Sequence, residues 1–399
     1  MKSIILQVVV LLATALLVTG ASPNNLGTPA NYHHFDLPFY AETVAVTYDP
    51  AMTIAEPPVI SNQALVGAYR TLQRKPTKVL LNSLLEAKAK YALNDYLFYK
   101  LASQTLKVVY QNGEENAREI TMYGLLIEAG FDARLTFRGG RVFVNVFTEE
   151  DLFEVPIIDA NGRPYANLSC MEGDCNGRAR LFIHPNRPNP KGRSFGFQLR
   201  SWPTLGVQPI AKKLSFSYHG VDQEMDVTFD RTIVDIMKDY PFIHEYCYLE
   251  TPLSATLQES LIPQLDTLIR DLPQQQALEF LVSFTRSAFD YKEDNENFGR
   301  SKPMVPEELF GYSFSDCEDR SALFFALVRE LLEIPMAVIA YDDHLTIAVG
   351  SDTIPGDFFT YEGKRFVFCD PTGPKNSSKI GQIPPGYENK SFQIIGAYK

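Results

Sequence analysis

Near the end of the chain the hydrophobic period switches from helical to alternating, and this order constrains the fold more than any other feature. Apolar residues at helical spacing cover 317–332. Strands follow at 336-MAVIAY-341 and 344-HLTIAVG-350 around a tight Asp342–Asp343 turn, and 365-RFVFCDPT-372 closes the set. Residues 356–361 read as a short excursion between strands. A helix packed on such a strand group makes α+β the expected fold class.

The plan has an echo 203 residues earlier, with Arg141 where His344 stands. Two helices, 94–110 and 114–130, lead into strands 131-FDARLTF-137 and 141-RVFVNVF-147 across a Gly-Gly turn, and 153-FEVPIID-159 ends in an acid. An internal duplication explains the echo; so does the ordinary frequency of helix–hairpin order. Under duplication, the first copy has no cysteine near Glu114 and no histidine near Arg141, so it serves binding or packing.

A chain of 399 residues exceeds what one core usually holds. The expected organisation is a signal peptide at 1–21 and an N-terminal α+β region at 22–165, open to reading as a degenerate copy. A strand-rich middle region at 166–250 and a catalytic domain at 251–399 follow. Leu253, Leu257, Leu261, Leu265 and Leu268 predict two short helices meeting at Pro263.

Lys2, an apolar run from Ile4 to Val18 and the small residues Gly20 and Ala21 have the form of a cleavable secretory signal. The expected location is therefore secreted or periplasmic, with no transmembrane segment in the mature chain. A net charge of −11 argues against nucleic acid as a partner. The basic stretch 187-RPNPKGRSFGFQLR-200 runs against that trend and reads as a solvated loop. Of five cysteines, Cys170 and Cys175 are the pair expected to form a local disulfide, while Cys247 and Cys369 sit in strand-like apolar runs. Cys317 is left over.

Cys317 opens the helix, with either Ser315 or Asp316 as its cap. The helix N-terminus favours a thiolate, whereas Asp316, Glu318 and Asp319 oppose one. On a helical wheel Asp319 points away from the thiol face, and Asp316 and Glu318 flank it, open to engagement in capping. His344 begins a strand whose alternate residues Leu345, Ile347 and Val349 are greasier, so the imidazole belongs on the less apolar side. Asp370 ends the closing strand before Pro371, and an antiparallel pairing of 344–349 with 365–370 brings it beside His344. A thiol, an imidazole and a carboxylate in that relation are a nucleophile, a base and an orienting group.

The segments 315-SDCEDRSALFFALVREL-331, 342-DDHLTIAV-349 and 368-FCDPTGP-374 resemble the transglutaminase-like superfamily of the papain-type thiol fold. The approach 287-SAFDYKEDNENFGRSKPMVPEELFGYSFSDCEDR-320 resembles that of a bacterial secreted group with the domain at its C-terminus. The resemblance covers about 240–399. It implies Cys317 as nucleophile, His344 as base and then acid, and Asp370 as orienter, in acyl transfer from an amide through a thioester. Peptide, protein or cell-wall amides are the implied substrates, with hydrolysis favoured over cross-linking.

The tryptophan that animal members place near the reacting centre has no counterpart, since the only tryptophan, Trp202, lies far upstream. Asn297 is the candidate second oxyanion donor, set against a plain role as a solvated loop residue. No cofactor and no metal is expected: 290-DYKEDNENFG-299 lacks the features of an EF-hand, and the histidines lack paired ligand spacing. The competing function is a non-catalytic binding or scaffold protein that keeps the fold without turnover.

Overall fold

Two five-stranded antiparallel sheets with the same strand order organise the chain. The computed structural model describes residues 31–110, 113–172, 182–183, 192–373 and 377–399. In space the first sheet runs Ile157–Asp159, Pro164–Asn167, Arg141–Phe147, Ala133–Arg138, Phe182–Ile183. The second runs Phe358–Tyr361, Lys364–Phe368, His344–Gly350, Met336–Tyr341, Gln393–Tyr398. If the five strands of each sheet are lettered a to e along the chain, both read c-d-b-a-e. The protein is thus a mixed α+β molecule with several antiparallel sheets.

A helix precedes each sheet and packs on its central hairpin: Glu115–Glu128 for the first and Cys317–Leu331 for the second. The Gly139–Gly140 turn takes positive φ at both positions, which the two-residue hairpin geometry requires. In the second sheet Leu345, Ile347 and Val349 face the helix and its apolar core, as the alternation predicts. The opposite face is also covered, because Ala337, Ile339 and Ala348 pack with Ile383, Tyr387 and Phe392 from the closing segment. Burial on both faces explains why Met336–Tyr341 is nearly continuous in apolar residues.

Residues 32–399 make one compact unit with two main apolar cores. The long hairpin Pro209–Tyr218 and Val221–Asp230 contributes Leu214, Phe216, Met225 and Val227 to the core around the second sheet. The residues that follow, from Ile233 to Tyr248, contribute mostly to the core around the first. Residues 1–21, where a signal peptide is expected, lie outside the described part of the chain. Among the described residues no helix is long and apolar enough to cross a membrane.

Local expectations need correction in three places. Ala255–Ile269 is one helix with Pro263 inside it. Leu257, Leu261, Leu265 and Ile269 are all buried on one stripe, and that burial outweighs a single missing backbone bond. The Ser260 carbonyl is taken by the Gln264 side chain, and Leu268 is exposed outside the stripe. Phe358–Tyr361 is a strand paired with Lys364–Phe368, not an excursion. Cys247 sits half-buried in the short helix Glu245–Glu250 and not in a strand.

Glu307, fully buried, ties these parts together. Its carboxylate accepts from the Asp230 N–H at 2.7 Å, the Ser254 N–H at 2.9 Å and the Ser254 hydroxyl at 2.8 Å. It therefore fixes the end of the long hairpin to the start of helix Ala255–Ile269. Glu307→Ala leaves buried donors unpaired and should lower the unfolding free energy by roughly 2–5 kcal/mol in a urea titration. An unchanged midpoint would contradict this assignment.

Candidate active site

Asp316 caps the helix Cys317–Leu331, and Asp319 completes a capping box. The Asp319 carboxylate accepts from the Asp316 N–H at 3.1 Å and the Met304 N–H at 2.8 Å. Ser315, the alternative cap, instead accepts from Arg320 Nε at 3.1 Å. Two of the three acids around the thiol are thereby engaged in holding the helix start. Glu318 is not: the Cys317 thiol donates to Glu318 Oε2 at 2.8 Å. The expectation that capping occupies this acid is corrected, because the box uses the residue at N3, which is Asp319.

Cys317 is 8% exposed. Burial pushes its thiol up, the charges of Glu318 and Asp316 act in the same direction, and the Leu345 N–H acts against them. That last contact sets the sulfur against the strand that His344 opens. One turn along, the Ser321 hydroxyl donates to the Leu345 carbonyl at 3.3 Å and fixes helix and strand together.

His344 Nε2 lies 3.7 Å from Asp370 Oδ1, within ion-pair range and long for a hydrogen bond. The pairing of Ala348 with Phe368 sets the register, so the two residues meet on a diagonal and Thr372 stands level with His344. Thr372 Oγ1 is 3.4 Å from Nε2. Nε2 thus faces the carboxylate, leaving Nδ1 as the other nitrogen for chemistry. Asp370 Oδ1 accepts from the Thr346 hydroxyl at 3.0 Å, the Thr372 hydroxyl at 2.7 Å and the Thr372 N–H at 3.1 Å. Burial works against its charge, but His344, Thr372 and Arg286 outweigh it and hold the carboxyl well below the usual carboxylate range.

Two arginines outside the expected triad frame this site: Arg320, which helical spacing places on the Cys317 face as local charge compensation, and Arg286, which carried no assignment. Arg320 donates to the carbonyls of Thr372, Gly373 and Phe289 as well as to Ser315. Arg286 donates to the carbonyls of Asp370 and Ser378, with its Nη2 3.7 Å from Asp370 Oδ2. An arginine on the buried stripe of helix Gln274–Ser287 was the one available signal, since such a charge needs a partner. Gly373 is required by close approach: a Cβ there would lie 2.3 Å from Ser377 Oγ.

A cavity of about 770 Å³ opens beside these groups. His344, Asp370, Tyr291, Phe289, Pro385 and Tyr387 are among its walls, and the Tyr387 ring centre is 4.9 Å from that of His344. Tyr291 is aligned by the parallel pairing of Asp290–Tyr291 with Phe314–Ser315, just before the thiol. Among the described residues lining the cavity, neither Cys317 nor Asn297 is included. Cys317 is buried, and Asn297 ends the four-residue helix Asp294–Asn297, half-buried.

Asp294, Asp316 and Asp319 bring one carboxylate oxygen each within 4.8 Å of one another. Burial raises all three; Asp294 and Glu318 add charge at Asp316 and Asp319, Glu318 adds it at Asp294, and Asp294 is pushed up to about 6. This trio was not anticipated, because Asp294 comes from a separate polar run. Cys247, Cys317 and Cys369 are free, which excludes a Cys317–Cys369 disulfide. Cys170 is disulfide-bonded, and Cys175 lies outside the described residues. In comparisons with known proteins, no family model, no curated protein and no solved structure matches this chain.

Two outcomes follow from the acids. A carboxyl raised in the folded state destabilises it as pH climbs from about 4 through the folded value. Asp316→Asn keeps a capping side chain but removes one charge, so its urea midpoint should gain on the wild type between pH 5 and 8. A pH-independent difference would contradict the raised Asp316 carboxyl. Glu318→Gln should speed alkylation of Cys317 by iodoacetamide at pH 7.5 by roughly 3- to 10-fold, through a lowered thiol pKa. A slower or unchanged rate would show that Glu318 does not restrain the thiol.

Proposed function

We propose that this protein is an extracytoplasmic cysteine-nucleophile enzyme that transfers an acyl group from an amide or peptide bond through a thioester, with water as the usual acceptor. The observation that carries the proposal is the convergence, on one helix start and two adjacent strands, of the Cys317 thiol, His344 and a charged, fully hydrogen-bonded Asp370 beside a large cleft. In this reading Cys317 attacks the carbonyl carbon and His344 takes the thiol proton, then donates it to the leaving amine. Water, deprotonated by His344, next attacks the thioester; the C–S bond breaks, the acid leaves, and His344 returns the proton to the Cys317 sulfur. Asp370 orients the imidazole and stabilises its cation. The Cys317 N–H, at the helix N-terminus, is one oxyanion donor, and Asn297 has no support from its place outside the cleft lining.

The same reading assigns the C-terminal sheet and its helix to a transglutaminase-like, papain-type thiol fold and the N-terminal sheet to a degenerate copy of it. The shared c-d-b-a-e order supports the duplication. Arg141 pairs with Arg138 across the hairpin turn as His344 pairs with Tyr341. Glu115 is the first residue of its helix, as Cys317 is. Matched through strand register, Asp370 corresponds to Ser169, whose hydroxyl accepts from the Val144 N–H. Glu115, Arg141 and Ser169 cannot reproduce the thiol chemistry, so the copy serves packing or binding.

For attack, the thiol has to leave Glu318 and turn toward the imidazole. That hydrogen bond is also the observation favouring a second reading, a binding protein without turnover. Turnover of amide-containing peptides and cell-wall fragments separates the two. The enzyme reading expects Cys317→Ala and His344→Ala each to lower kcat/KM at least about 10³-fold while leaving the fold intact. Full activity in Cys317→Ala would eliminate it.

A further inference from the structure

Behind Arg286 lies a second cavity, of about 520 Å³, that shares Arg286 and Ser377 with the cleft as lining residues. Its other walls come from the His219–Gly220 hairpin turn, from Glu279 and Ser283 on helix Gln274–Ser287, and from Ser378 and Lys379. In a chain of net charge −11, the described residues of this cavity present two cations, Arg286 and Lys379, against one carboxylate, Glu279.

Two of its polar atoms are unspent. Arg286 Nη1 and Nη2 are engaged with Ser378 and the Asp370 carbonyl, but its Nε is buried with no hydrogen-bond partner. Ser377 Oγ is likewise buried with no partner. Buried donors without partners are rare because each forfeits its hydration. One unpartnered guanidinium N–H and one unpartnered hydroxyl at the wall between two cavities match an anionic oxygen ligand.

We propose that this second cavity is a specificity subsite for a carboxylate of the substrate, recognised by Arg286, Ser377 and Lys379. The proposal rests on the reading of the cleft as an acyl-transfer site, because an amide substrate seated against His344 then extends past Arg286. Peptides carry carboxylates in two places, on Glu or Asp side chains and at the C-terminus, and the subsite chemistry suits both. Arg286 would feel the ligand and Asp370 together, so the acid that fills the subsite also sits against the residue that holds the Asp370 backbone.

Matched peptides test the idea: Glu against Gln at positions flanking the amide, and free C-terminus against C-terminal amide. Wild-type kcat/KM should favour one acidic member by about 10-fold or more, chiefly through KM. That preference should shrink toward unity in Ser377→Ala and Lys379→Gln, with the Glu and C-terminus arms showing which carboxylate is read. Arg286→Lys is a further variant, read with a thermal melt because Arg286 also supports the Asp370 loop. Binding of the same peptides to Cys317→Ala, measured by calorimetry at 0.1 M salt, reads the subsite without turnover. Equal binding and equal turnover for acid and amide members would overturn the subsite and leave the acyl-transfer reading intact. Acid-selective binding that depends on Lys379 and Ser377, with no Cys317-dependent turnover of any peptide, would keep the subsite and overturn the acyl-transfer reading.

Discussion

The Arg320 guanidinium is the contact on which the geometry of the site depends. It is buried, and it bonds the Ser315 hydroxyl before the helix, the Phe289 carbonyl beside Tyr291, and the Thr372 and Gly373 carbonyls just past Asp370. One residue therefore joins the helix that carries the thiol to the strand end that carries the carboxylate. A buried guanidinium is tolerable only when its donors are satisfied, and acceptors from three segments, carbonyls from two and the Ser315 hydroxyl from the third, meet that demand. Lysine, with a point charge and a different donor set, could not span the same three directions. Arg286 does comparable work from the other side through the Asp370 carbonyl.

Around this clamp the electrostatics are divided. Asp370 is held charged by hydroxyls, His344 and Arg286, whereas the trio of Asp294, Asp316 and Asp319 is pressed toward protonation by burial and mutual repulsion. Cys317 stands between them and is held as a thiol by burial and Glu318. The proposed chemistry thus begins from a restrained nucleophile, and thiolate formation is coupled to movement away from Glu318. A restrained thiol is also less open to adventitious oxidation.

Much of this was legible in the chain. The switch from period 3.6 to period 2 located both helix–hairpin units, and the greasier set Leu345, Ile347 and Val349 identified the face of the strand opposite His344. Adjacency of His344 and Asp370 followed from antiparallel pairing alone, and the observed register makes it diagonal. What escaped notice depends on contacts between distant segments. No local pattern announces that Arg320 reaches Phe289 and Thr372, that Asp294 meets Asp316, or that residues 383–392 cover the second face of the sheet. Pro263 misled because its local penalty was weighed without the tertiary burial of its helix. Glu318 misled because both N2 and N3 carry acids and only the fold selects which one caps.

The central claim is that Cys317 becomes acylated. Incubating the mature protein with an activated acyl ester, quenching in acid and mapping the adduct by peptide mass spectrometry addresses it without knowledge of the natural substrate. The account predicts an acyl group on the Cys317 peptide that hydroxylamine removes and that is absent from His344→Ala at matched times. Acylation confined to Cys247 or to surface lysines, with Cys317 unmodified, would contradict it.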